Sequence, residues 1–484
     1  MRTLLPLLHV LGGVILLFGL TMLLPVGVSW LADEAVHAHF FSSMLVTCGT
    51  GFLLWLVTRP FRRELRTRDG FLLVTLVWAV LPAFAMVPML SSLPISVTDA
   101  YFEATSGLTA TGATVLTGLD TLPISINIWR GELQWFGGMG VIVLAVAILP
   151  MLGVGGRQLY KAEIPGPMKD SKLTPRIAQT AKGLWLVYTG LTLLCFLAYW
   201  AAGMTWPDAL MHAFTTLGLA GFSSHDASFG YFNSPVLEAI AVAFMLIAGI
   251  NFATHFRFIR ERTWGIYRRD GEAGAFVGTV LICGVAIGFY LWTTGIYADL
   301  FTALRYAVFN TVSVATTTGY ASTDYALWPV FLGFIMLLLG TFATSSGSTG
   351  GGIKMIRARL LIQQLYRELQ RLLHPRAQIP VRYMGVPVAN QIVFAVLAFF
   401  FVFVFTAIIF TLVLMATGLD TTTAFSAVIA TLSNIGPGLG QVGPATTFAV
   451  LNDVQTWVCA LAMIMGRLEM FTFLVVLTPA FWRN

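Results

Sequence analysis

Four stretches of this sequence gather glycine, threonine and serine within an otherwise strongly apolar chain: TSGLTATGATV around Gly112, TTLGLAGFSS around Gly221, SVATTTGYAS around Gly319 and LSNIGPGLG around Gly436. No charged side chain lies between three residues before and one after any of these glycines, so their chemistry must come from the backbone. Glycine admits backbone angles and close approaches closed to other residues. It thereby lets carbonyl oxygens turn inward, and rings of carbonyls replace the water shell of a dehydrated cation. The candidate cation ligands are the carbonyls of Thr109, Ala110, Thr111 and Gly112, of Leu219, Ala220 and Gly221, of Thr317, Thr318 and Gly319, and of Asn434, Ile435 and Gly436.

Side-chain chemistry has little support elsewhere. Cys48, Cys195, Cys283 and Cys459 are scattered through apolar runs without paired spacing and read as small core residues. The histidines show no ligand spacing, and no HExxH, P-loop or dinucleotide fingerprint occurs. Glu103 and His212 stand nine residues before Gly112 and Gly221. Holding equivalent places in two stretches, they read as variation on one kind of helix rather than as an acid–base pair. An enzyme is not expected.

The elements that position the four stretches must be membrane helices. The chain is 57% hydrophobic and 10% charged, with mean hydropathy +0.81, whereas soluble domains are about a quarter charged. Apolar runs long enough to span a bilayer occur near residues 3–24, 40–58, 71–92, 132–155, 183–203, 235–258, 275–297, 328–345, 388–417 and 456–480, about ten in all. The first lacks a small-residue cleavage site and precedes a second span, so it reads as a retained helix rather than a signal peptide. Of 28 lysines and arginines, five fall in 59–68, six in 157–182, five in 257–269 and seven in 354–382, and these loops alternate with acidic, base-poor ones. Lys and Arg collect in cytoplasmic loops, so both termini are expected inside, and the net charge of +6 needs no nucleic acid to explain it.

The four stretches also share a register. Twelve residues before each glycine stands an alanine, Ala100, Ala209, Ala307 or Ala424, preceded by Asp99, Asp208, Tyr306 or Thr423, of which the Asp and Thr choices suit a helix N-cap. Each stretch is predicted to be a capped helix of about eight to ten residues followed by extended backbone. At ~1.5 Å per residue such a helix falls short of a ~30 Å hydrocarbon core, so it must dip in and turn back. Backbone of that kind persists at membrane depth only where protein buries it or it lines a water-filled path. Four helices aiming their C-termini at one axis present partial negative charge there, which favours a cation.

One span is predicted to break. The run from Trp328 to Leu360 is too long for one crossing, and GTFATSSGSTGGGIK carries five glycines between Gly340 and Gly352. A polar loop there, including Ser345, Ser346, Gly347, Gly350, Gly351 and Gly352, must line the water path. Arg467, inside the last apolar run with Glu469 two residues on, can donate several hydrogen bonds to carbonyls of this loop, or instead pair with Glu469 or reach the cytoplasmic interface. Arg130 and Arg305, beside external loops, read as solvated or interfacial charges, and Lys354 as an interfacial anchor.

Together TSGLTATGATV, TTLGLAGFSSHDAS, ATTTGYASTD, SNIGPGLG and SSGSTGGGIKMIR resemble the Trk/Ktr/HKT superfamily of potassium transporters, in its longer TrkH/TrkG-type branch. The resemblance covers nearly the whole chain. It implies an all-α polytopic membrane protein with two extra N-terminal transmembrane helices at 1–69 and four pseudo-symmetric, potassium-channel-like helix–pore loop–helix repeats at 70–182, 183–272, 273–384 and 385–484. It also implies that Gly112, Gly221, Gly319 and Gly436 are the filter glycines, and that the loop at 340–352 obstructs the path and moves on opening. Plant sodium-selective relatives carry serine at the first filter position, so Gly112 favours potassium. The expected function is K+ uptake across a bacterial inner membrane, down its gradient or as symport, with a sodium-conducting relative as the alternative. The expected partners are a second copy in a homodimer, membrane lipid, and a cytosolic nucleotide-binding regulator of TrkA type docking on the basic segments Arg157 to Lys182 and Arg357 to Arg382. No cofactor is expected in the chain beyond K+ as the transported ion.

Overall fold

A computed structural model describes residues 4–63, 65–152 and 177–483. Residues 157–176 of the first basic docking segment lie outside the described part. Almost all regular structure among the described residues is helical; the two-residue strands Arg382–Tyr383 and Val386–Pro387 form one small antiparallel pair.

Among the described residues, six helices are long and apolar enough to cross a membrane: Leu5–Leu31, His37–Phe61, Arg68–Ser92, Lys182–Ala201, Ala273–Thr293 and Asn390–Ala416. Large apolar side chains on their outer faces are exposed, among them Leu194, Ile282, Phe289, Phe401 and Leu412, as suits a surface solvated by hydrocarbon rather than water. The first two pack through glycine. A β-carbon on Gly12 would meet the Trp55 backbone nitrogen at 2.7 Å, and one on Gly51 would meet the Gly12 carbonyl oxygen at 2.8 Å, so only glycine lets these backbones approach.

Three of the ten predicted spans are interrupted, not one. Besides the glycine-rich break between Val330–Phe342 and Met355–Leu373, helix Pro235–Ala248 turns 92° into Phe252–Glu261, and Asp453–Arg467 turns 112° into Phe471–Leu477. At the first turn Asn251 starts the new helix by accepting from Ala253 N at 2.8 Å. At the second, Glu469 and Met470 take φ of 51° and 53°, which few side-chain-bearing residues adopt. Arg467 is therefore the last residue of a helix, where its charge complements the dipole, and not a charge in mid-span.

The predicted short helices are Val97–Leu108, Trp206–Gly218, Leu300–Ala315 and Thr421–Leu432. Their 12, 13, 16 and 12 residues exceed the predicted eight to ten but, at ~1.5 Å each, remain too short to span. The extra length comes from earlier caps. Ser96, Thr205, Asp299 and Asp420 are the N-caps, accepting from the backbone N–H three residues on, so Asp99 and Asp208 sit inside the first turn and reinforce the cap from there. Towards the C-terminus every residue of these helices is buried, so the irregular segments that follow start from within the protein.

Candidate functional site

The segments following the four short helices meet in a closed ring. A β-carbon built on Gly112 would overlap the Ala220 carbonyl oxygen, one on Gly221 that of Thr318, and one on Gly319 that of Ile435; one on Gly436 would lie 2.8 Å from that of Thr111. Each glycine thus faces the carbonyl that precedes the next glycine, and the fourth closes on the first. Their φ values of 85°, 71°, 88° and 103° are equally closed to other residues. Two residues earlier, Ala110, Leu219, Thr317 and Asn434 also have positive φ, of 54°, 51°, 61° and 54°, so the same backbone course recurs four times on four different sequences. All the predicted ligand residues, Thr109 to Gly112, Leu219 to Gly221, Thr317 to Gly319 and Asn434 to Gly436, lie in this ring. Each short helix ends three or four residues before its glycine, directing its partial negative end at the ring.

A polar residue of each short helix pins the strand beyond its glycine. Glu103 accepts from Val115 N at 3.0 Å and from Thr114 Oγ1 at 2.9 Å. His212 Nε2 lies 3.0 Å from Ser223 Oγ. Asn310 Nδ2 donates to Ser322 Oγ at 3.0 Å, while its Oδ1 accepts from Ser322 N at 3.2 Å, and Ser426 Oγ accepts from Leu439 N at 2.8 Å. Glu103 and His212 are thus braces at equivalent positions. Arg130 overturns its reading as a solvated charge: it is fully buried, 2.8 Å from Glu103, donates to Asn127 Oδ1 at 3.1 Å and to the Ser223 carbonyl at 3.0 Å, and lies over the Phe222 ring. A buried guanidinium at this place neutralises the Glu103 carboxylate and ties the first strand to the second. Arg305, more accessible, pairs with Glu238 at 2.7 Å. Gln134 brackets Gly221 in the second segment, donating to the Ala220 carbonyl at 2.8 Å and accepting from Phe222 N at 3.0 Å, while Asn434 Nδ2 ties the fourth segment to the first by donating to Thr111 Oγ1 at 2.9 Å.

Directly against one side of the ring lies the glycine-rich loop. Helix Val330–Phe342 still contains Gly340, and the non-helical stretch runs over residues 343–354. Thr349 Oγ1 donates to the Leu217 carbonyl at 2.9 Å, at the end of the second short helix, and Gly351 N donates to Thr317 Oγ1 at 2.9 Å. β-Carbons on Gly350 and Gly351 would press on the carbonyl oxygens of Thr316 and Ser433, the residues three before two ring glycines. Gly347 and Gly352 have φ of 75° and 76°. The Ser345 amide donates to the Gly249 carbonyl at 3.0 Å, and the Gly347 carbonyl accepts from Phe252 N at 3.0 Å, so the loop completes the backbone bonds opened by the 92° turn. Arg467 Nη1 donates to the Thr349 carbonyl at 3.1 Å, and Nη2 donates to the carbonyls of Gly137 and, at 3.1 Å, Gly138 on helix Ile124–Leu152. Glu469 pairs with Arg357 at 2.5 Å. Lys354, expected as an interfacial anchor, is 4% exposed and donates to the Gly350 carbonyl, so it is part of the loop's own support.

A ring of contacts thus closes among four segments on capped short helices, and the glycine-rich loop packs against one side of it. A family model described as TrkH, cation transport protein, matches residues 36–278 and 297–483. The chain belongs to the TrkH family. It is 47% identical to the Trk system potassium uptake protein TrkH of Halomonas elongata over 99% of both chains, and 45% identical to that of Escherichia coli K12 over 98% of this chain and 99% of that one. The crystal structure of the potassium transporter TrkH from Vibrio parahaemolyticus superposes with a TM-score of 0.89 at 43% identity, covering 99% of each chain. The TrkH family is one of transporters rather than enzymes, in accord with the absence of catalytic motifs from the sequence.

On the side of the TrkH-family ring opposite the loop is a cavity of about 330 Å³, lined by Gly112, Gly221, Gly319 and Pro437 at its floor and by His225, Asp226 and Thr447 among others above. His225, which nothing in its spacing marked, is a clasp between two of the segments. Its Nδ1 lies 2.5 Å from Asp120 and its Nε2 3.3 Å from Asp208, and its ring stacks on Tyr231. Asp226 accepts from Gly118 N and Leu119 N at 3.0 and 3.1 Å. Partial burial opposes charge on His225, but the hydrogen-bonded carboxylates of Asp208 and Asp120 outweigh it and raise its pKa. Burial likewise disfavours ionisation of Asp208 and Asp120, yet the bonds from His225, with Ser224 and Thr205 for Asp208 and Asp226 N for Asp120, hold both below the ordinary carboxylate value.

Proposed function

We propose that this chain takes up potassium across a bacterial inner membrane through the ring of four glycine segments, which acts as a filter of backbone carbonyls. The observation that carries the reading is the closed sequence of contacts from Gly112 to Ala220, Gly221 to Thr318, Gly319 to Ile435 and Gly436 to Thr111. It aligns carbonyl oxygens of four segments about one point, at the negative ends of four helices, with no charged side chain among them. The potassium uptake proteins to which the chain is similar support the choice of ion. Glycine at position 112 supports potassium over sodium, because no side chain intrudes between the first and second segments.

The loop at residues 343–354 is the gate, and Arg467 its lock, joining the Thr349 carbonyl to those of Gly137 and Gly138. Both termini are cytoplasmic, as the distribution of basic residues supports. Helix Met355–Leu373 leaves Ile362, Leu365, Tyr366, Leu369 and Leu372 exposed at helical spacing, which favours a homodimer formed through that face. A cytosolic nucleotide-binding regulator of TrkA type docks on the basic segments.

Expression in a bacterium lacking potassium uptake tests the reading. Growth on low potassium, with faster uptake of K+ than of Na+, is the expected result. Membrane insertion without growth refutes potassium uptake, and growth with equal Na+ and K+ uptake refutes the selective filter.

A further inference from the structure

Glu272 precedes helix Ala273–Thr293 and is 5% exposed, yet it makes no ion pair within 4.0 Å among the described residues. A buried carboxylate without a cationic partner needs donors from elsewhere. Its Oε1 accepts from Ser346 N at 3.1 Å and from Ile356 N at 2.9 Å. These two amides lie on opposite sides of the glycine-rich turn. Ile356 is the second residue of helix Met355–Leu373, whose own N-cap position, Lys354, supplies no side-chain cap. Glu272 therefore caps this helix from another part of the chain, where the helix dipole favours a carboxylate, and ties the loop's entry to its exit. The Thr344 hydroxyl, donating to the Gly351 carbonyl at 3.1 Å, is a second tie across the turn, made from within the loop.

The residue is also anchored towards the cytoplasm. Glu272 N donates to Asp270 Oδ1 at 2.9 Å, and Asp270 Oδ2 accepts from Thr254 Oγ1 on helix Phe252–Glu261. The basic segment from Arg257 to Arg269 is thus connected to the loop through Asp270 and Glu272.

We propose that Glu272 is a positioning residue of the gate: it clasps the loop closed, and displacement of the basic segment Arg257 to Arg269 opens the path by pulling the clasp away. This inference rests on reading residues 343–354 as the gate. The carboxylate touches no transported ion; it acts through two backbone amides, so what matters is an acceptor oxygen of the right reach.

The test is K+ flux into proteoliposomes of the full chain without any regulator, comparing wild type with Glu272→Ala, Glu272→Gln, Glu272→Asp and Arg467→Ala. Glu272→Ala is expected to raise resting flux about fivefold, the scale of one ordinary hydrogen bond's net contribution. Glu272→Asp, one methylene too short to reach both amides, is expected to leak comparably. Glu272→Gln keeps the acceptor and is expected to stay within about twofold of wild type, a rescue that loss of packing alone would not give. The K+ to Na+ permeability ratio is expected to hold in all three, since the ring is untouched. If Arg467→Ala leaks while Glu272→Ala and Glu272→Asp do not, the clasp is wrong and the gate stands; if none leaks, the gate reading falls and the clasp with it. A Glu272→Gln variant as leaky as Glu272→Ala also overturns the clasp, and should Glu272→Ala fail to fold, the Glu272→Asp and Glu272→Gln pair decides.

Discussion

The ring and the loop beneath it are both built on glycine, but glycine does different work in each. In the ring every glycine faces a carbonyl of the neighbouring segment, and the segments are pinned by Glu103, His212, Asn310 and Ser426 on capped, buried helices. In the loop, Gly350 and Gly351 also lie against carbonyls, but they close no cycle, and the turn is tied by separate hydrogen bonds to Leu217, Thr317, Gly249, Phe252, Glu272 and Arg467. A structure held by mutual closure has no cheap way to move one part. One held by separate bonds to different elements can release them together and swing away. The same residue type thus closes a ring of contacts in one region and, on the gating proposed above, permits release of separate contacts in the other.

Four measurements test this contrast. Gly319→Ala has the largest expected effect: the β-carbon overlaps the Ile435 carbonyl oxygen at φ 88°, strain alone costs about 1–3 kcal/mol, and K+ uptake should fall at least ~100-fold. Near-normal uptake by that variant would show that the ring yields as the loop does. Gly112→Ser perturbs one quarter of the ring and should lower the K+ to Na+ permeability ratio about tenfold, on the scale of a net ~1.4 kcal/mol. An unchanged ratio would remove Gly112 from selectivity.

Arg467→Ala acts on the loop and should have the opposite sign, raising resting flux about fivefold through lost hydrogen bonds worth ~1 kcal/mol net. Flux that stays level or falls in a folded variant would sink the lock. The smallest effect is expected above the ring, where His225 joins Asp120 and Asp208. Because its folded pKa is raised, its stabilisation is fully present below the unfolded value near 6.5 and is lost as pH rises through the folded value. The two carboxylates, with depressed pKa, remain ionised throughout that range. His225→Gln should therefore lower thermal stability by under ~1 kcal/mol at pH 6, with the gap closing in alkaline solution. A gap that widens with pH would rule out the charged clasp.

Much of this arrangement is legible in the sequence because repetition is visible in it. The alanine twelve residues before each glycine sets one register for four helices, and five glycines within one apolar run announce a break. The other two turns, at Gly249 and at Glu469, leave no such mark: hydropathy reports how favourably a segment leaves water, not the direction in which it runs. The sequence points to caps three residues late because Asp99 and Asp208 are good cap residues, and only the first turn itself shows Ser96 and Thr205 ahead of them. Arg130 looked solvated beside an external loop because its partner Glu103 is distant in sequence and equivalent by repeat to a histidine.

Alone, the sequence determined that this is a polytopic helical membrane protein with four glycine-centred segments in common register and one glycine-rich break, because composition and periodicity are properties of residue order. The tertiary structure decided which carbonyl faces which glycine, that Arg467 bonds the Thr349 carbonyl while Glu469 pairs with Arg357, and that Glu272 and Lys354 support the loop. Those outcomes depend on which buried donor lies within about 3 Å of which acceptor, a distance fixed by packing between segments far apart in the chain.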